Sequence, residues 1–213
     1  MEKTGSIRGA VSEVKRLEEL WAGPFGDAYN QRNKNSYEGR GVFWREMLAG
    51  LHVQSVLEVG CNVGGNLRWI AGLLPPRQVW GVDINEEALK KLRAVSPGIN
   101  AVRSPARELP FRDGGFDLVF TAGVLIHHPG SILKKVMSEI VRCSRRYVLC
   151  MEYFSARTLE VPYRGNERAL FKRDYGKIYA RSFPRLELVR RGELNKAQGW
   201  DNVTYWLFKI GKR

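Results

Sequence analysis

Glu58 and Asp83 are the two carboxylates of this 213-residue sequence whose settings call for a ligand. Glu58 stands in "SVLEVG", two residues before Gly60 and just ahead of Gly64 and Gly65, and Asp83 closes "QVWGVDI", twenty-three residues beyond Gly60. An apolar strand that runs into glycines and then a helix lets the backbone approach a bound molecule at the ligand-binding edge of a parallel sheet. The run Gly60-Cys61-Asn62-Val63-Gly64-Gly65 departs from G-x-G-x-x-G, and no lysine follows in P-loop register, so both nucleotide-phosphate readings weaken. Glu58 would repel a pyrophosphate, yet it can accept hydrogen bonds from an ammonium group or water. Asp83, ending the next strand, can accept from both hydroxyls of a ribose. An adenosine joined to an amino acid meets both demands.

Further along, His127 and His128 follow "FDLVFTAG", and Glu152 and Tyr153 end "RRYVLCMEY". Histidine can take a proton near neutral pH, and Glu152 is a second base, so these three are the catalytic candidates. The plainer reading, in which they orient loops, stays open. Tyr153, Tyr163, Arg164, Lys172 and Arg173 supply hydroxyls and cations able to clasp a carboxylate or phosphate, against a default reading of surface charge. Cys61, Cys143 and Cys150 have neither C-x-x-C spacing nor a histidine cluster beside them, so reduced thiols and no metal site are expected.

The elements that must position these groups alternate. An amphipathic helix is expected over 11–21 (Val11, Val14, Leu17, Trp21), a turn-rich polar stretch over 21–41, and a helix ending near Gly50. Strands "SVLEVG", "QVWGVDI", "INAVRS", "FDLVFTAG" and "RRYVLCMEY" alternate with helices "NLRWIAGLL", "NEEALKKLRAV" (capped by Asn85, with Glu86/Lys90 and Glu87/Lys91 pairs) and "SILKKVMSEIVRC" (capped by Ser131). Residues 155–183 read as irregular. "LELVRRGEL" and "VTYWLFKI" read as an antiparallel hairpin at the sheet edge. The fold class is therefore α/β: a doubly wound, seven-stranded, mostly parallel sheet with an antiparallel C-terminal hairpin and an N-terminal helical lid. One domain is expected, with 1–50 as lid, 51–154 as cofactor-binding core, and 155–213 as substrate-side insertion and hairpin.

"LEVGCNVGG", "GVDIN" and "FDLVFTAGVLIHH" resemble the successive motifs of class I S-adenosylmethionine-dependent methyltransferases, over about residues 50 to 154. The resemblance implies a Rossmann-like fold, S-adenosylmethionine as cofactor and S-adenosylhomocysteine as product. It implies that Glu58, Gly60 and Gly64 shape the methionine end, that Asp83 holds the ribose, and that Gly81 admits the adenine edge, with Ile84, Ala106 and Gly123 beside them. Asn62 stands where many relatives have glycine, and Pro105 where an acid often reads the adenine. "WAGPFGDAYNQRN", "GVLIHHPG" and "LFKRDYG" are similar to the pseudaminic acid biosynthesis-associated methylases, small bacterial enzymes of surface-sugar genes. That likeness implies a lid of Phe25, Gly26, Tyr29, Arg32 and Asn33 over the methyl donor, with Arg32 available to a carboxylate.

A net charge of +13 favours anionic partners, while the scattering of the basic residues fits a solubility feature as well as a footprint. A small anionic or sugar-like acceptor, taken at O or N and either free or nucleotide-linked, leads. An RNA methyltransferase is the first alternative, weakened by the lack of an N-P-P-Y-like tetrapeptide. A non-catalytic S-adenosylmethionine-binding protein is the second. The chain shows neither a secretory leader nor an apolar run long enough to span a bilayer, which points to a cytoplasmic protein without a membrane partner.

Overall fold

The computed structural model describes residues 3–33 and 37–211. Nine strands occur among them: β1 (Val56–Val59), β2 (Val79–Asp83), β3 (Asn100–Arg103), β4 (Phe116–Ala122), β5 (Ser144–Glu152), β6 (Leu159–Tyr163), β7 (Asn166–Lys172), β8 (Leu186–Leu194) and β9 (Val203–Ile210). Seven form one sheet in the order β3-β2-β1-β4-β5-β9-β8. The first five are parallel, and β9 inserts antiparallel between β5 and β8. The strand order reverses between β1 and β4, where the carboxyl ends of a doubly wound sheet open a crevice.

The helices are α1 (Lys3–Ala22), α2 (Pro24–Arg32), α3 (Gly41–Leu48), α4 (Gly65–Ala71), α5 (Glu86–Val95), α6 (Gly130–Cys143) and α7 (Tyr175–Ser182). Period-two alternation along the strands feeds two cores. Leu118 and Phe120 of β4 face Trp44 and Met47 of α3, Leu67 and Ile70 of α4, and Leu89 and Leu92 of α5. Val119 between them faces Leu133, Val136, Met137 and Ile140 of α6, with Tyr175 and Tyr179 of α7. Each such fully buried aliphatic side chain contributes roughly 1.5–3 kcal/mol, which ties the helices to the sheet.

Several local expectations need correction. The 21–41 stretch holds α2, started by Pro24, whose fixed φ suits a first helical turn. Its buried residues are Gly26 and Asn30, so no apolar stripe marks it; residues 34–36 of that stretch lie outside those described. The first helix is longer than 11–21, and of its stripe Leu17 is buried while the Val11 side chain lies outside the described ones. Helix α6 begins one residue before Ser131, with Pro129 at its cap. Asn85 does cap α5, accepting from the Ala88 N–H at 2.7 Å, but the ion pairs are Lys90 with Glu87 and Arg93 with Glu86. Residues 155–183 are not irregular: they form the β6–β7 hairpin and α7. Arg164 (φ 48) and Gly165 (φ 80) make its two-residue turn, the left-handed pair that such tight hairpins need, with an arginine in the slot where Asn or Asp is usual.

Candidate functional site

The turn after β1 is left-handed at three residues: Gly60 (φ 73), Asn62 (φ 50) and Gly64 (φ 74). A β-carbon on Gly60 would run into the Val124 side chain, and one on Gly64 into Leu92, so both positions exclude side chains on space as well as on backbone conformation. Asparagine is among the few other residues that tolerate this region. The turn is tied to β2 by the Gly60 and Cys61 N–H groups, which donate to the Val82 carbonyl at 2.7 and 3.0 Å. Gly81 does a different job from the one expected: its missing β-carbon makes room for Cys61 Sγ (2.6 Å) and Leu67 (2.7 Å), and it does not line the cleft.

That turn floors a cleft at the β1/β4 crevice. Glu58 lines it, 2% exposed, with Oε1 accepting from Asn66 Nδ2 at 2.7 Å and Oε2 buried without a partner. Burial pushes its carboxyl up to about 8, against the pull of the Asn66 bond and the Arg40 charge. Two more cleft-lining side chains carry a buried, unpartnered polar atom, Asn62 Oδ1 and Trp21 Nε1. Unpaired buried polar atoms are costly, and three of the seven among the described residues belong to side chains that line this cleft.

Asp83 accepts from the Asn62 N–H (2.7 Å, Oδ2) and the Asn85 N–H (2.8 Å, Oδ1), leaving each oxygen a further lone pair. Burial raises its pKa and the backbone bonds oppose the rise. Asn85 then fastens the N-terminal helices to this loop. Its Nδ2 donates to the Trp21 carbonyl (3.1 Å) and Asp27 (2.8 Å), and its Oδ1 accepts from Asn30 Nδ2 (3.1 Å) as well as from its own helix. Helix α1 crosses above the cleft, contributing Val14, Leu17, Glu18 and Trp21 to its lining. It is clamped by Glu18 to Arg107 (2.7 Å) and by Glu13 to Arg168 of β7 (2.7 Å).

On the β4 side, a short 3-10 turn (Leu125–His127) brings His127 and His128 to the cleft. Their Nδ1 atoms sit 2.7 Å from the Ala169 carbonyl and 3.0 Å from the Val124 carbonyl. A carbonyl only accepts, so Nδ1 carries the proton in both rings and Nε2 keeps the lone pair. Burial lowers both pKa values, His127 to about 4, so both rings are neutral at pH 7. Glu152, fully buried, caps this turn: it accepts from the N–H groups of Val124 (3.2 Å), Leu125 (3.0 Å) and Ile126 (3.3 Å). Burial raises its carboxyl to about 7 even so.

Residues 56–146 match the family model described as a methyltransferase domain. The chain is 34% identical over 94 residues to a phthiotriol/phenolphthiotriol dimycocerosates methyltransferase of Mycobacterium tuberculosis, a match covering 43% of this chain and 34% of that protein. It is also 34% identical over 95 residues to an uncharacterized protein of Haemophilus influenzae, covering 42% and 38%. The matched region thus spans about a third of the length of these curated relatives. Among solved structures, the fold resembles magnesium protoporphyrin IX methyltransferase of Synechocystis with bound S-adenosylmethionine (TM-score 0.68, 14% identity, 93% of this chain and 97% of that one). An S-adenosylmethionine-dependent methyltransferase of Mesorhizobium loti is similar too (TM-score 0.61, 15% identity, 80% and 97%). The fold is the Rossmann-like methyltransferase fold expected from the sequence.

The residues expected at the site divide. Glu58, Gly60, Asn62, Asp83 and Ile84 line the cleft from β1 and β2. Ala106, Gly123, His127 and His128 line it from the β3 and β4 sides, and Tyr29 from α2. Gly64 shapes the turn without lining it. Arg32 is exposed, its guanidinium 5.8 Å from the Phe25 ring, and Asn33 caps α2 with Nδ2 on the Tyr29 carbonyl; neither lines the cleft. Glu152 stands behind the histidine turn rather than in the cleft. Tyr163 reaches the roof, its ring 5.3 Å from His127 and 6.2 Å from Trp21. Tyr153 donates to Asp201 (3.2 Å) with Lys172 5.7 Å over its ring, whereas Arg164 is exposed in the hairpin turn. Arg173 is buried and donates to the His128 carbonyl at 3.0 Å, a structural post for the histidine turn. Sequence reading missed Asn66, Arg40 and Trp21 as site residues, and saw Asn85 only as a cap. Asn66 had one usable signal, a polar residue in the first turn of the helix that follows the glycines.

Proposed function

We propose that this chain is a class I methyltransferase that moves a methyl group from S-adenosylmethionine to an O or N atom of a small anionic or sugar-like acceptor, free or nucleotide-linked. The observation that carries the reading is the pairing, in one cleft, of Glu58 Oε2, buried and unpartnered, with the Asp83 carboxylate twenty-three residues past Gly60. An ammonium answers the first and a ribose diol the second, so the residues present fit an adenosyl amino acid. Glu58, Gly60 and Asn62 would hold the amino acid end, Asp83 and Ile84 the ribose, and Ser104 to Ala106 the base. When bound, the donor supplies a methyl on a sulfonium, which needs alignment with the acceptor more than activation.

This chain's own groups do the rest. Helix α1 covers the cleft and keeps water out. His127 and His128 offer neutral Nε2 atoms able to take a proton from an acceptor hydroxyl or amine. The aromatic roof of Trp21, Tyr29 and Tyr163 supports an acceptor with a flat or sugar-like face. Within this reading the chain acts as a single domain in the cytoplasm, in the manner of the pseudaminic acid biosynthesis-associated methylases it resembles.

Incubation with methyl-labelled S-adenosylmethionine and a bacterial lysate, then size fractionation with and without nuclease and protease, tests it. Label in the small-molecule fraction, unaffected by nuclease, is the expected result. Label in nuclease-sensitive polymer replaces the reading with RNA methylation, and tight donor binding with no label anywhere replaces it with a non-catalytic role.

A further inference from the structure

Arg40 does not line the cleft, yet it reaches the cleft's chemistry through one intermediary. It stands at the cap of α3, 9% exposed, its guanidinium 4.6 Å from the Tyr37 ring and 3.8 Å from the Trp200 ring. Its Nε donates to the Gly199 carbonyl at 2.8 Å and its Nη1 to Asn66 Oδ1 at 3.0 Å; Asn66 Nδ2 in turn donates to Glu58 Oε1 at 2.7 Å. The direction of this chain is forced. A guanidinium can only donate and a carboxylate can only accept, so the Asn66 amide has one allowed orientation between them. Glu58 is thereby engaged through Oε1, and Oε2 is the oxygen left bare.

Arg40 makes no ion pair among the described residues, so its charge is not neutralised by a closer carboxylate. The charged and titratable groups around Glu58 are Arg40, Asp83, Tyr37 and Cys61, and of these Arg40 is the cation. Its effect at the site is electrostatic and orientational at once: it favours the ionised form of Glu58 and fixes which oxygen is offered.

We propose that Arg40 is a positioning residue for the donor's amino end, acting through Asn66 to favour the ionised form of Glu58 and to present Oε2 to an ammonium group. The inference rests on the donor reading given above. It also makes the β8–β9 connection part of the donor site, because the Gly199 carbonyl and the Trp200 ring are what hold the guanidinium in place.

The test is the pH dependence of S-adenosylhomocysteine affinity, measured by calorimetry from pH 6.5 to 8.5 for the unmodified protein, Arg40→Gln and Arg40→Lys. Removing the cation should displace the Glu58 titration to the alkaline side by on the order of one pH unit, so Arg40→Gln loses about tenfold in affinity at pH 7 and only about threefold at pH 8.5. Arg40→Lys, which keeps the charge but not the planar fork, should recover most of the pH profile but not the full affinity. Carbon-13 NMR of the Glu58 carboxyl in the ligand-free protein reads the same displacement without any ligand. Parallel pH profiles for the unmodified protein and Arg40→Gln overturn the proposal and leave the donor reading standing. No binding by the unmodified protein overturns the donor reading itself. If Arg40→Gln does not fold, Arg40→Met, which keeps an apolar stem against the Tyr37 and Trp200 rings and leaves Asn66 in place, must give the same alkaline displacement; a loss independent of pH overturns the proposal.

Discussion

Replacing Glu58 by glutamine should make the ligand-free protein more stable while destroying the site. The folded carboxyl titrates at about 8, against an ordinary glutamate near 4.5, because burial disfavours its charge. Between those two pH values the folded chain holds a proton that the unfolded chain has released. Stability contributed at this position therefore falls as pH rises from about 4.5 to about 8, and levels off above. The full displacement corresponds to roughly 3–5 kcal/mol, a large share of the 5–15 kcal/mol that holds a typical domain together. Glu58→Gln cannot ionise and escapes the loss.

Urea denaturation of both proteins at half-unit steps from pH 4.5 to 9 isolates the effect, since subtracting the curves cancels other titrating groups. The difference should be near zero at pH 4.5 and grow to roughly 3–5 kcal/mol in favour of Glu58→Gln by pH 8.5. The same variant should bind S-adenosylhomocysteine at least about a hundredfold more weakly, from loss of a charge-assisted bond to a buried group. Parallel stability curves, or a variant that binds the product normally, would refute the reasoning that this carboxylate is held at a cost for a cationic partner.

Further outcomes follow from other parts of the site. Glu152→Ala strips three buried N–H groups of their acceptor and should cost about 2–4 kcal/mol in urea unfolding, with a fall in kcat larger than any change in KM for the donor. With His127 titrating at about 4, any contribution of this ring to the rate should be flat from pH 6 to 8; a rate midpoint near 6.5 that disappears in His127→Asn would contradict its buried, neutral state. The same lowering places a stability loss between pH 6.5 and about 4, where the unfolded histidine takes a proton that the folded one refuses. Asp117→Ala should cost about 1–3 kcal/mol by thermal or urea unfolding, because this buried carboxylate accepts from the Gln54 N–H (3.0 Å) and pairs with Arg145 (2.7 Å) and Arg146 (3.0 Å), both half exposed, at the opposite end of β4 from the cleft. Asn85→Ala should speed hydrogen exchange in α2 and raise the product's dissociation rate, since that one amide joins the lid to the Asp83 loop.

The floor of the site was legible in the sequence because it is local. Glu58, Gly60, Asn62, Asp83 and Ile84 fall within 27 residues of chain, on elements whose periodicity and glycine punctuation are strong. The roof was not, because its residues meet the floor only through tertiary contacts: Trp21 with His127, Asn30 with Asn85, Arg40 with Asn66. No local pattern marks such residues. Helix α2 escaped for a related reason, since its buried positions are a glycine and an asparagine, and the β6–β7 turn escaped because arginine stands in a left-handed slot. Glu152 is legible at the ligand-binding edge of the sheet and Arg173 as one of several cations able to clasp an anion, but their types alone do not distinguish a group that meets the substrate from one that braces the turn carrying His127 and His128.

The same division explains how one small chain combines a rigid donor site with access to it. The floor is held by the sheet and by α4 and α5, whose buried Leu67, Ile70, Leu89 and Leu92 make it as hard to deform as the core itself. The roof is held by Leu17 and the Trp21 ring on its underside and, at its edges, by two ion pairs with partly exposed partners and the Asn85 amide, polar links that are individually weak. Three buried polar atoms without partners, Trp21 Nε1, Glu58 Oε2 and Asn62 Oδ1, face the space between them. Closure in the absence of ligand therefore leaves desolvated groups unpaired, whereas closure on an adenosyl amino acid gives Glu58 a partner and buries apolar surface of α1 at the same time. The free energy of the roof is thus coupled to the ligand's amino end, and opening is cheapest when the cleft is empty.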